Sequence, residues 1–258
     1  MKNNRLFKLV VVFFVSFIIY LAGTLPLRET FAVFTVTDVR PGAVINPFLS
    51  ICFGPVSSLA CSVSNFVADY ISGYPNIVLI EGLPLQFLYG FIPYLLWKKL
   101  TKGDDHSHRL DSVSKVLKFV LVTLVYALVS SIGVGFIVVS NYGGNLLDVA
   151  KFVFLNNFDM TILLGLPLMI VGNIVVSAIH REKFRKLSLN ELIILYTCVL
   201  ELIGIGVIIY ASYSTYINAL NQTYEVWNNI FFYSVIYINI VTLAMLLFMK
   251  IIENNYKK

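Results

Sequence analysis

Residues 6–23 read LFKLVVVFFVSFIIYLAG, an unbroken apolar run except for Ser16 and for Lys8 near its start. At 1.5 Å of rise per residue such a run matches the roughly 30 Å hydrocarbon core of a bilayer, and a lysine one turn inside it can snorkel to the interface. Leu21-Ala22-Gly23 is a poor small-residue cleavage site and further apolar runs follow, so the segment reads as a retained membrane helix rather than a removed leader. Comparable runs recur at 76–97, 115–140, 159–180, 189–212 and 230–249, with shorter ones at 42–53 and 55–72. The chain of 258 residues is 58% hydrophobic and 13% charged, with a mean hydropathy of +0.82. Water is not its main solvent. Long uncharged runs separated by charged clusters fit helices rather than the alternating strands of a barrel, and the fold class expected is an all-α polytopic membrane protein.

The net charge of +5 does not point to nucleic acid, because the lysines and arginines sit between apolar runs instead of along one aromatic-interleaved face. They report orientation. Lys98, Lys99, Lys102, Arg109, Lys115 and Lys118 form the densest basic cluster, residues 180–186 form another, and Lys250, Lys257 and Lys258 follow the last run. Placing all of these inside gives cytoplasmic N- and C-termini of a multi-pass cell-membrane protein, with 24–40, 141–157 and 213–229 as outer connections. Tyr213, Tyr216, Tyr224 and Trp227 suit an interfacial aromatic belt on the last of these.

Between the first two long runs the pattern breaks. Pro41-Gly42 opens a segment that ends at Phe53, Gly54-Pro55 interrupts, and Gly73-Tyr74-Pro75 closes the next segment. About 12 residues of helix cover only about 18 Å, so 42–53 is either a short helix lining a cavity or one arm of a re-entrant hairpin. Ser58, Ser62, Asn65, Asp69 and Ser72 recur at spacings of four and three, which puts a polar stripe on one helix face. Asp69, Glu81, Gln86, Arg40 and Asn46 are expected to converge near the outer end, either as a polar-ligand site or as an ion pair with interhelical hydrogen bonds.

Other polar residues carry weaker signals. Glu201 lies mid-run without a counter-ion, with Asn173 and Asn239 as candidate partners. Asp104 to His108 has metal-ligand residue types but no helical or turn framework, and Cys52, Cys61 and Cys198 follow no ligand or disulfide spacing, so no metal site is expected. Gly-x-Ser-x-Gly, His-Glu-x-x-His and phosphate-loop motifs are missing, and neither an enzyme nor a cofactor is expected.

The stretch RPGAVINP (40–47), Phe53-Gly54-Pro55, Asn65, Asp69 and Gly73, and FLYGFIP (87–93) resembles the substrate-binding S components of energy-coupling factor vitamin transporters. That resemblance implies a six-helix S-component-like bundle over residues 1–186, to which 187–258 add two further C-terminal transmembrane helices. It implies capture of a vitamin-like small molecule at the outer face, import driven by a transmembrane coupling subunit and cytoplasmic ATPases, and Asn46, Asn65, Asp69, Glu81, Gln86 and Tyr89 as ligand-binding residues, with Phe87 as a further aromatic wall. Helix 1 departs from the family in lacking an Ala-x-x-x-Ala docking pattern. A membrane sensor or scaffold and a gradient-driven secondary carrier are the competing readings.

Overall fold

The computed structural model describes residues 2–30, 41–102, 109–179, 187–217 and 223–256. Arg40, the 104–108 run and the basic residues 180–186 lie outside the described residues. The elements are α1 (Lys2–Thr30), a 3-10 turn (Pro41–Val44), α2 (Ile45–Phe53), α3 (Pro55–Ile71), α4 (Asn76–Leu100), α5 (Val113–Tyr142), α6 (Leu146–Ile179), α7 (Leu189–Ile217) and α8 (Thr223–Tyr256). No strand occurs among the described residues. Helices α1 and α4 to α8 each carry a stretch long and apolar enough to cross a membrane. The chain is an all-α, multi-pass membrane protein.

The short second helix is one arm of a hairpin. Gly54 takes φ 90°, a left-handed value that glycine adopts without a Cβ penalty, and Pro55 starts α3 where its missing N–H costs nothing. Asn46 of α2 reaches the Gln86 carbonyl of α4, while Ser58 and Ser62 of α3 reach the Phe87 and Leu83 carbonyls. Both arms therefore lie along the same stretch of α4, with the bend at Gly54 pointing away from the Gly73 turn.

That packing depends on Gly90. A Cβ there would overlap Asn46 Oδ1 and Ser50 Oγ of α2 and Ser58 Oγ of α3, none of them able to retreat without losing a hydrogen bond. Gly90→Ala is expected to cost about 1–3 kcal/mol by overpacking, read as a lower melting temperature in detergent. An unshifted transition would mean that α4 backs away freely.

The apolar core fills the half of the bundle near Lys98. Ile51, Trp97, Phe119, Leu166, Met169, Ile194 and Met249 meet there from α2 and α4 to α8, so α7 and α8 share one core with the preceding helices. The large apolar side chains of α1, among them Phe7, Phe14 and Ile18, remain exposed as a lipid-facing surface requires.

A charged latch closes this end. The Arg109 guanidinium donates from Nε at 3.1 Å and Nη2 at 2.5 Å to Glu191, whose side chain is fully buried at the start of α7. Ser188 and Glu191 form a reciprocal cap: Ser188 Oγ accepts from Glu191 N at 3.2 Å and Glu191 Oε2 accepts from Ser188 N at 2.7 Å. Hydrogen bonding to Glu191 raises the Arg109 guanidinium above its ordinary value, and Asp111 joins Lys115 at 3.1 Å beside it.

Candidate functional site

The half of the bundle near Gly73 is hollow. A cavity of about 110 Å³ is bounded by α1, the 3-10 turn and helices α3 to α6. Its polar lining is Tyr20, Asn65, Asp69, Gln86, Asn156 and Asn157, and Tyr74, Tyr89 and Tyr142 contribute rings. An engineered apolar cavity of about 150 Å³ takes a benzene-sized guest, so this space suits a compact ligand or the compact polar part of a larger one.

One directed chain of hydrogen bonds organises the polar wall. Gln86 Nε2 donates to the Tyr20 hydroxyl at 2.6 Å, Tyr20 donates to Asn65 Oδ1 at 3.1 Å, and Asn65 Nδ2 donates to Asp69 Oδ2 at 2.5 Å. Every donor in it faces toward Asp69. A chain oriented this way polarises along its length and concentrates donor character on the carboxylate, so Asp69 is held as an acceptor. Among the described residues of the lining, Asp69 is the only acidic or basic one.

The helices fix these groups by local sequence. Asn65 and Asp69 lie one turn apart on α3, whose small residues Ser57, Ala60, Cys61, Ser64 and Ala68 are buried and let α1 and α4 approach. Ser64 reaches the Phe17 carbonyl and Ser16 meets Ser57, which holds Tyr20 of α1 opposite Asn65. On the far wall the Tyr89 hydroxyl reaches the Ser130 carbonyl of α5 at 3.4 Å, and Asn157 donates to Ser130 Oγ at 2.8 Å.

Of the residues expected from sequence, Asn65, Asp69, Gln86 and Tyr89 line this cavity together. Asn46 does not: it is fully buried beneath the wall, its amide turned to the Gln86 carbonyl at 2.6 Å and its carbonyl accepting from Ser50. Glu81 is also outside the lining, because it accepts from Asn141 Nδ2 at 2.8 Å and so ties α4 to the end of α5. Five residues separate Glu81 from Gln86, a rotation of about 140° around a helix, and one helix cannot aim both at the same space. Phe87 stacks on Phe91 instead of walling the cavity.

Sequence reading missed Tyr20, Asn156 and Asn157. The expected outer loop 141–157 is a turn followed by helix: Gly143 and Gly144 take φ of 77° and 105°, Asn145 Oδ1 accepts from Leu147 N at 2.8 Å, and α6 begins at Leu146. The Gly-Gly pair followed by a capping Asn was the available signal.

No family model, curated protein or solved structure matches this chain.

Proposed function

We propose that this chain is the membrane-embedded substrate-binding subunit of a micronutrient uptake system, related to the S components that its 40–93 segment resembles, and that it captures a small cationic or donor-rich ligand in the Gly73-end cavity. The observation that carries the reading is a buried carboxylate, Asp69, at the acceptor end of a hydrogen-bond chain and in a cavity with four tyrosines. Aromatic faces and a carboxylate together favour a cation.

The distribution of basic residues supports an extracytoplasmic cavity. Lys98, Lys99, Lys102, Arg109, Lys115, Lys118 and Lys250 all belong to the opposite end, and by the positive-inside rule this bias supports a reading with the Gly73 turn outside and the termini in the cytoplasm of a cell-membrane protein. The solid apolar core beneath the cavity fits a chain that binds from one side and needs other subunits to complete transfer. Co-purification of the tagged chain from its native membrane is expected to recover a transmembrane coupling subunit with ATPases. Recovery with a signalling kinase, and with no transport component, would instead identify a sensor.

A further inference from the structure

Between α6, α7 and α8 lies a polar cluster that the cavity does not use. Asp159 of α6 is 1% exposed, and its Oδ1 accepts from Asn239 Nδ2 of α8 at 3.0 Å. Glu201 of α7 is 2% exposed, and its Oε1 accepts from Thr242 Oγ1 of α8 at 2.9 Å. Asn239 and Thr242 are neighbours on one face of α8, so a single turn of that helix brings the two carboxyls into each other's field.

Two oxygens of this cluster lack a donor. Asp159 Oδ2 and Asn156 Oδ1 are buried with no hydrogen-bond partner, and the two residues stand at i and i+3 on α6, where Cβ atoms are about 5–6 Å apart. A buried acceptor left unpartnered costs roughly 1–3 kcal/mol, and an unneutralised carboxylate away from water costs more. Something electropositive belongs between them.

Protein charge does not supply it. Among the described residues, the groups that act on Asp159 and Glu201 are Asn239, Thr242 and the two carboxyls themselves, with no lysine or arginine. The nearer ionisable groups on the packed elements are thiols and phenols: Cys198 beside Glu201 on α7, Tyr126 of α5 against Thr161, Tyr237 of α8 turned to the Leu200 carbonyl, and Cys52 of α2 further along α6 at Gly172.

The donors around the pair favour a proton over a metal ion. Asn239 Nδ2 also donates to the Val235 carbonyl at 2.8 Å, which fixes the amide so that its NH₂ group, not its lone pairs, faces Asp159. Thr242 turns its O–H to Glu201 in the same sense. Among the described residues no group of three or more His, Cys, Asp or Glu is placed to hold a metal ion.

We propose that Asp159 holds a proton on Oδ2, donated to Asn156 Oδ1, and that the Asp159 and Glu201 pair is a proton-binding site of this protein. Asn156 and Asn157 also form part of the cavity wall, so they connect the pair to the space beside Asp69. On release the O–H bond breaks, its electron pair stays on the carboxylate, and the proton passes to water in the cavity. The inference rests on these contacts alone and not on the identity of any ligand.

Infrared difference spectroscopy of the full chain in lipid nanodiscs tests it, with Asp159→Asn and Glu201→Gln as near-isosteric variants that keep the fold. At neutral pH the wild type should show a buried carboxylic-acid C=O band that moves in heavy water. Asp159→Asn should lose this band and Glu201→Gln should shift it. A wild type without the band, or a band unchanged in Asp159→Asn, would overturn the proposal. So would a band that emerges only when sodium is withdrawn, since that would put a metal ion where the proton is placed.

Discussion

Arg109→Ala should lower folding stability by about 3 kcal/mol or more, the largest loss expected from any single truncation at the Lys98 end. Removing the guanidinium leaves the fully buried Glu191 carboxylate without its two hydrogen bonds and without a counter-charge. Lys115 offers no substitute, since Asp111 already engages it. Arg109→Lys should recover only part of the loss, because a point ammonium cannot reproduce the two-pronged contact. Exchanging both partners, Arg109→Met with Glu191→Leu, should recover most of it, short of the cap that Glu191 makes with Ser188 N. Equilibrium unfolding in mixed micelles measures each step. A stability for Arg109→Ala within about 0.5 kcal/mol of wild type would mean that the pair behaves as a solvated surface bridge.

Asp69→Asn should weaken capture of the retained ligand by about 10- to 100-fold while leaving the fold intact. A hydrogen bond to a charged acceptor is worth about 1.5–3 kcal/mol, and each 1.4 kcal/mol is about tenfold in affinity. The substitution keeps the shape of the side chain but removes the charge toward which Gln86, Tyr20 and Asn65 orient their donors. An Asn carbonyl can still accept from Asn65, so unfolding is not the expected result. Titration of the purified variant with the ligand identified from wild type reads the effect. Equal affinity would take Asp69 out of the binding account.

The membrane made the architecture legible. Backbone groups in hydrocarbon must bond internally, so spans announce themselves as apolar runs, and all six long helices coincide with runs visible in the sequence. The α3 stripe was legible for a related reason: polar side chains in lipid must find partners, and spacings of four and three put Ser58, Ser62, Asn65 and Asp69 on one face. Tyr20 was not, because one tyrosine near the end of an apolar run looks like an interfacial anchor until its partners Asn65 and Gln86 are known. Asn157 was hidden by the polar residues before it, which read as loop although a capped helix carries them inward. The Arg109 to Glu191 pair joins residues far apart in sequence and leaves no local trace. Glu201 stood out in the sequence as a carboxyl in the middle of an apolar run, but its partner is Thr242, and Asn239 serves Asp159 instead.

The most direct measurement is native mass spectrometry of the protein released from lipid nanodiscs, wild type against Asp69→Asn. The account predicts that wild type retains a compact, positively charged or donor-rich molecule at one copy per chain and that the variant emerges without it. A wild type that carries no small molecule under any loading condition, or a molecule retained equally by Asp69→Asn, would contradict the claim that the Gly73-end cavity is the binding site.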